Sequence, residues 1–299
     1  MKKLFVWLLG IALLLCLAAC NTEDLGVPEE TTAQSETTEQ APLLCRVLLS
    51  ETVYGMDGNE MTSKKYEYDM SGNLIREDSY RAGIKEASRI YTYDDNNLLV
   101  KTEFSYAQAA EAGGSTTYEY NESGQLIKEC SYDYRGRQKD ETVYEYDESG
   151  RMIKAQSEKS ITTRTYGEHN SYIELIEDIK GKWNEKYECI YDTNGNLLSY
   201  RSYQDEEIYS ERVYEYNADN QVIKLTTYKN GSVVTDTIYE YKDGLQIKST
   251  LYRTGEVEGV FTCEYNDFGE LVKELSYNAA GIATQTIIYE YGSMDKRES

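Results

Sequence analysis

From Tyr54 to Tyr291 apolar and polar residues alternate with a period of two, in short runs broken by Asp, Asn and Gly. Such alternation puts successive side chains on opposite faces and predicts β-strands joined by tight turns. The runs are copies of one unit, Tyr-x-Tyr-Asp-x-x-Gly-x-Leu-Ile-Lys. It reads YEYDMSGNLIR from Tyr66, YEYNESGQLIK from Tyr118, YEYDESGRMIK from Tyr144, CIYDTNGNLLS from Cys189, YEYNADNQVIK from Tyr214 and CEYNDFGELVK from Cys263. Variants begin at Tyr91 and Tyr239, and a last partial copy, YEY, begins at Tyr289. The one long gap, between Tyr144 and Cys189, accommodates a degenerate copy around Tyr166 to Lys186. The period is about 25 residues, the signature of a repeat architecture.

Each unit specifies its own hairpin. Four residues after the second tyrosine stands Gly72, Asn97, Gly124, Gly150, Gly195, Asn220 or Gly269, and Gly and Asn are the residues that tolerate positive φ. A type I turn ending in a left-handed residue, with its bulge, fits this spacing. It sets Tyr68 opposite Leu74, Tyr120 opposite Leu126, Tyr146 opposite Met152, Tyr191 opposite Leu197 and Tyr265 opposite Leu271, same-face pairs that stabilise a sheet. By strict alternation the cations two residues further on (Arg76, Lys101, Lys128, Lys154, Lys224, Lys273) fall on the tyrosine face, in reach of cation–π contact. A further tyrosine ends the strand at Tyr80, Tyr132, Tyr203, Tyr228, Tyr252 or Tyr277, and a second glycine returns the chain.

The expected fold is therefore all-β: an antiparallel meander of about nine two-strand repeats over residues 43–299. No proline interrupts that region, as ladder positions require. About 18 strands exceed what an open twisted sheet holds flat, so a long curled or spiralling sheet is expected. Tyrosine rings would form the core between its layers, and the partial repeats at the ends would serve as caps.

The N-terminus has a different character. Lys2 and Lys3 precede an uncharged run, Leu4 to Leu17, that closes on Leu17-Ala18-Ala19-Cys20. Residues 1–19 have the form of a secretory signal and resemble a bacterial lipoprotein signal. That resemblance implies cleavage before Cys20 and a diacylglycerol on its sulfur, hence lipid anchoring in the bacterial cell envelope, facing outward from the cytoplasmic membrane, or in the outer membrane of a Gram-negative host. Residues 20–42 follow as the lipidated cysteine and an acidic tether; from 21 to 42 there are six acids and no Lys or Arg. This composition predicts a disordered spacer.

The motif Tyr-x-Tyr-Asp-x-x-Gly-Asn-Leu at Tyr66–Leu74, nearly repeated at Cys189–Leu197, resembles the YD repeats of the RHS family over about residues 50–291. The resemblance implies a spiralling β-sheet. Long members of that family enclose a C-terminal toxin, and no such segment follows the repeats here.

Composition narrows the function. The chain has 299 residues, 30 of them tyrosine, one histidine and a net charge of −22. Such charge argues against nucleic acid and against electrostatic adhesion to anionic membranes. A lone His169, in a Gly/Asn-containing segment, builds no multi-histidine metal site. Asp192-Thr-Asn194-Gly-Asn196 lacks the distal acid of a calcium loop and is accounted for by turn chemistry. Cys189 and Cys263 lie too far apart across a sheet for a disulfide. No catalytic, metal or cofactor site is read. The expectation is a non-catalytic, lipid-anchored surface repeat protein that binds an unknown protein or glycan partner or serves as envelope structure. The alternative is a glycan or cell-wall module acting through exposed tyrosines, with Tyr134, Tyr200 and Tyr209 as candidates.

Overall fold

The computed structural model describes residues 44–295. Cys20, the signal-like segment and the tether lie outside the described residues.

Twenty strands fill the region. They are β1 (Leu44–Gly55), β2 (Glu60–Tyr68), β3 (Leu74–Arg81), β4 (Ile84–Tyr93), β5 (Leu99–Tyr106), β6 (Gly114–Tyr120) and β7 (Leu126–Asp133). Next come β8 (Gln138–Tyr146), β9 (Met152–Gln156), β10 (Ser160–Tyr166), β11 (Tyr172–Asp178), β12 (Asn184–Tyr191), β13 (Leu197–Gln204) and β14 (Glu207–Tyr216). The last six are β15 (Val222–Lys229), β16 (Ser232–Lys242), β17 (Leu245–Arg253), β18 (Glu256–Tyr265), β19 (Leu271–Asn278) and β20 (Ala283–Asp295). Each strand pairs antiparallel with its neighbour in sequence. The degenerate copy supplies β10, β11 and the start of β12 in line with the others.

The sheet closes. β20 pairs antiparallel with β1 through eleven residue pairs, from Leu44↔Asp295 to Gly55↔Gln285. The molecule is a β-barrel and not the spiral of about 18 strands that the repeat count suggested. The segments expected to be caps are two complementary edges that complete each other. Bulges give the physical reason. Sixteen of the twenty strand interfaces carry a register shift. Each bulge bends and twists its strand, and bending repeated at most of the strand interfaces brings the two edges together. Closure removes the open edges that end caps would otherwise protect.

The bulge beside the turn also resets side-chain parity. Tyr68 pairs with Leu74 and Glu67 with Arg76, so Ile75 is the extra residue between them. The same count holds at Tyr120/Leu126, Tyr146/Met152 and Tyr265/Leu271. The repeat cations therefore stand on the glutamate face, opposite the one that strict alternation assigned. Lys154 meets Glu145 at 2.9 Å, Lys248 meets Glu240 at 2.8 Å and Lys273 meets Glu264 at 3.0 Å. Cation–π contacts do form, but with other cations, such as Arg164 over Tyr172 and Lys186 over Tyr203.

Nor do the rings form a core. Among the described residues the only buried apolar side chains are Cys130, Cys189 and Tyr289, at 3, 4 and 7% exposure. A single layer closed on itself at twenty strands is too wide for side chains to fill, so both faces reach solvent.

Candidate functional site

The barrel presents two faces and two rims. On one face the Tyr-x-Tyr pairs run in parallel rows, and the second tyrosine of each pair makes a recurrent bond. Tyr93, Tyr120, Tyr146, Tyr166, Tyr216, Tyr241, Tyr265 and Tyr291 each donate the phenol O–H to a main-chain carbonyl of the preceding hairpin, at 2.7–3.0 Å. Tyr68 has no such partner among the described residues, and neither does Tyr191. Tyr191 faces the degenerate hairpin, where Tyr172 stands in place of the usual leucine. First-position tyrosines instead reach acids: Tyr144 donates to Glu129 and Tyr289 to Glu274. Burial, then the Glu129 carboxylate, pushes the Tyr144 phenol up to about 12.

The same face carries charge at mid-strand, with Arg164 and Glu174 2.7 Å apart. The opposite face is an ion-pair lattice. Asp78 accepts from Lys85 at 2.7 Å, Ser88 at 2.6 Å and Arg76 at 3.1 Å. Burial raises its carboxyl, but these donors outweigh burial and bring it down to about 2. Arg201 bridges Glu211 at 2.7 Å and Glu188 at 2.9 Å, and Tyr203 also donates to Glu188.

The rim where the Tyr-x-Tyr hairpins turn is a ladder of Asx turns. Asp69, Asp94, Asn121, Asp147, Asp192, Asn217 and Asn266 each accept the main-chain N–H four residues on. Gly72, Asn97, Gly124, Gly150, Gly195, Asn220 and Gly269 all have positive φ. Adjacent turns are tied by Asn73 to Asn97 at 2.9 Å and Asn196 to Asn220 at 2.8 Å. The nine connections at this rim hold twelve acids and one arginine, a net of −11. The ten connections at the other rim hold five acids and five bases, a net of zero.

The sequence candidates are scattered over this frame. Tyr134 lies in the β7–β8 connection, 44% exposed, with Arg135 over its ring. Tyr209 is the bulge residue at the start of β14, 37% exposed, with Lys229 over its ring. Tyr200 is half-buried in β13, stacked on Tyr187 at 5.7 Å. Tyr134 and Tyr209 are separated by about six strand spacings, roughly 29 Å, so they share no platform. His169 sits exposed in the β10–β11 turn with φ of 52°. It lines a shallow cup of about 320 Å³ with Arg151, Tyr166, Tyr172 and Tyr191. The repeat pattern does not announce this cup; the signal was the break in the repeat. Asp192 spends its carboxylate on the N–H groups of Asn194 and Asn196 and the amide of Asn196. Among the described residues no group of acids, His and Cys is placed to hold a metal, and the four cysteines are unpaired.

No family model and no curated protein match the chain. Solved structures align with it weakly. A TcdB2-TccC3-Cdc42 structure aligns at TM-score 0.33 and 10% identity, over 75% of this chain and 19% of that one. TcdB2-TccC3 without its hypervariable C-terminal region aligns at 0.32 and 12%, over 77% and 16%. The chain thus spans less than a fifth of these two. A porin-like protein from Bacteroides uniformis aligns at 0.39 and 10%, over 82% of this chain and 98% of that one.

Proposed function

We propose that this is a non-catalytic, lipid-anchored repeat protein of the bacterial cell envelope, whose barrel stands in water as a binding or structural module. The observation that supports this reading is the charge on both faces of the sheet at mid-strand: Arg164 and Glu174 on one, Asp78, Arg201 and Glu211 on the other. A strand that spans a bilayer turns one face to lipid, where Arg or Lys at the midplane costs about 2–4 kcal/mol each. With neither face suited to lipid, membrane attachment falls to Cys20. Two acyl chains suffice for stable anchoring.

Extraction of bacterial membranes tests this. The wild-type chain is expected to need detergent, and Cys20→Ala to be released by alkaline carbonate. A Cys20→Ala chain that still resists carbonate would show a barrel embedded in lipid and overturn the reading.

A further inference from the structure

The neutral rim carries a second pattern. Nine of its ten connections, taken with two strand residues on each side, expose a large apolar or aromatic side chain, against five of nine at the acidic rim. Met56 is 75% exposed, Ile84 64%, Ile282 58%, Ile179 49%, Trp183 47% and Tyr134 44%. Successive hairpins repeat at about 9.6 Å, two strand spacings, so these side chains form a crown around the barrel mouth. Apolar surface gathered in this way on a soluble face marks an interaction site.

We infer that this crown seats the barrel on a zwitterionic lipid interface. Three features select that occupant. First, a ring distributed around the mouth meets all its contacts at once only on a flat, laterally uniform surface; a folded protein partner would need one arc. Second, the charge is polarised, zero at this rim and −11 at the other. A chain of net charge −22 therefore approaches a bilayer by this end with least repulsion, and an uncharged headgroup layer suits it better than an anionic one. Third, Trp183 lies in the loop Ile179-Lys-Gly-Lys-Trp183, and Trp and Tyr flanked by Lys and Arg are the side chains enriched at the headgroup level.

The seat needs no acyl chain on Cys20 and is compatible with one. Residues 20–44 extend up to roughly 80 Å, while a ten-residue strand rises about 33 Å, so one membrane can hold both the anchor and the far rim.

The test uses the chain from residue 20 with Cys20→Ala, in which Trp183 is the sole tryptophan. Phosphatidylcholine vesicles are expected to shift Trp183 emission to the blue and carry the protein in flotation. Added salt should leave binding unchanged or raise it, and replacing part of the phosphatidylcholine by phosphatidylglycerol should weaken it. Ile84→Asp with Ile282→Asp, both exposed, should abolish flotation; Met70→Asp with Phe268→Asp at the acidic rim should not. Single Ile84→Asp, expected to weaken binding, covers the case in which the double variant misfolds. Unchanged emission with all vesicles would overturn the inference. So would a concentration-dependent dimer that Ile84→Asp dissolves, which would give the crown to a second copy of the chain.

Discussion

The phenol of Tyr93 donates to the carbonyl of Leu74 at 2.9 Å, two residues beyond the end of the regular β3–β4 ladder. That ladder begins at Arg76↔Ile90, so the bulge leaves the Leu74 carbonyl without a main-chain partner from β4. The tyrosine supplies it. Seven further copies of this bond close seven further ladders in the same way. In these eight units the second tyrosine is therefore a local satisfier of a backbone group that the turn geometry exposes.

Removing one such hydroxyl leaves a carbonyl partly open to water, so the cost should sit near the low end of a neutral hydrogen bond, about 0.5–1.5 kcal/mol. Tyr120→Phe and Tyr216→Phe are expected to lower stability by that amount in urea titrations. Tyr191→Phe, whose hydroxyl has no carbonyl partner, should change the midpoint little. Equal losses at all three positions would refute the role given to the hydroxyl.

The cation parity is open to a double-mutant cycle. Lys154 and Glu145 form a rather exposed pair, worth about 0.2–1 kcal/mol of coupling. Lys154→Ala combined with Glu145→Ala should show that coupling. Lys154→Ala combined with Tyr146→Phe, across the sheet, should be additive within about 0.3–0.5 kcal/mol.

Alkali should unfold the barrel. Burial raises the phenols of Tyr66, Tyr239 and Tyr289, and neighbouring acids, Glu51 for Tyr66 and Glu274 for Tyr289, add to it. Burial and then Cys263 push Tyr265 up to about 12. An unfolded phenol titrates near 10. A folded value above the unfolded one means that the native state holds the proton more tightly. This stabilisation is whole below pH 10 and is lost as pH rises through about 12. Phenolate absorbance and far-UV circular dichroism should therefore change together in that window. Gradual phenolate formation from about pH 10 with the β-signal intact would count against it.

Much of this was legible in the repeat, because it is local. The left-handed turn residues, the Tyr68–Leu74 pairing and the Asx turns depend on spacings of six residues or fewer. The parity of Arg76 was misread because one bulge residue, Ile75, reverses every side chain beyond it. The core was misread because the rings were assigned a second layer that a hollow barrel does not have. Closure depends on curvature summed over twenty strands, which no single unit displays. The crown escaped notice because its members, such as Ile84 and Ile282, lie in the connections where the units differ most.

Closure itself can be tested by moving the chain ends. Leu44 and Asp295 are partners in the β1–β20 ladder, and Arg46 holds Glu270 through two bonds of 2.9 and 2.8 Å beside the seam. The longest connection, Ala107 to Gly113, is exposed as far as Ala112. A circular permutant that joins Asp295 to Leu44 by a short Gly/Ser linker and opens between Ala109 and Ala110 preserves every strand and every pairing. It is expected to keep the β-spectrum and a cooperative transition, since new ends at exposed loops are well tolerated. Deleting β20 instead exposes the edges of β1 and β19, and unpaired edges recruit other chains, so that variant should aggregate. A deletion variant that stays monomeric and folded would mean that the two ends of the sheet do not depend on each other.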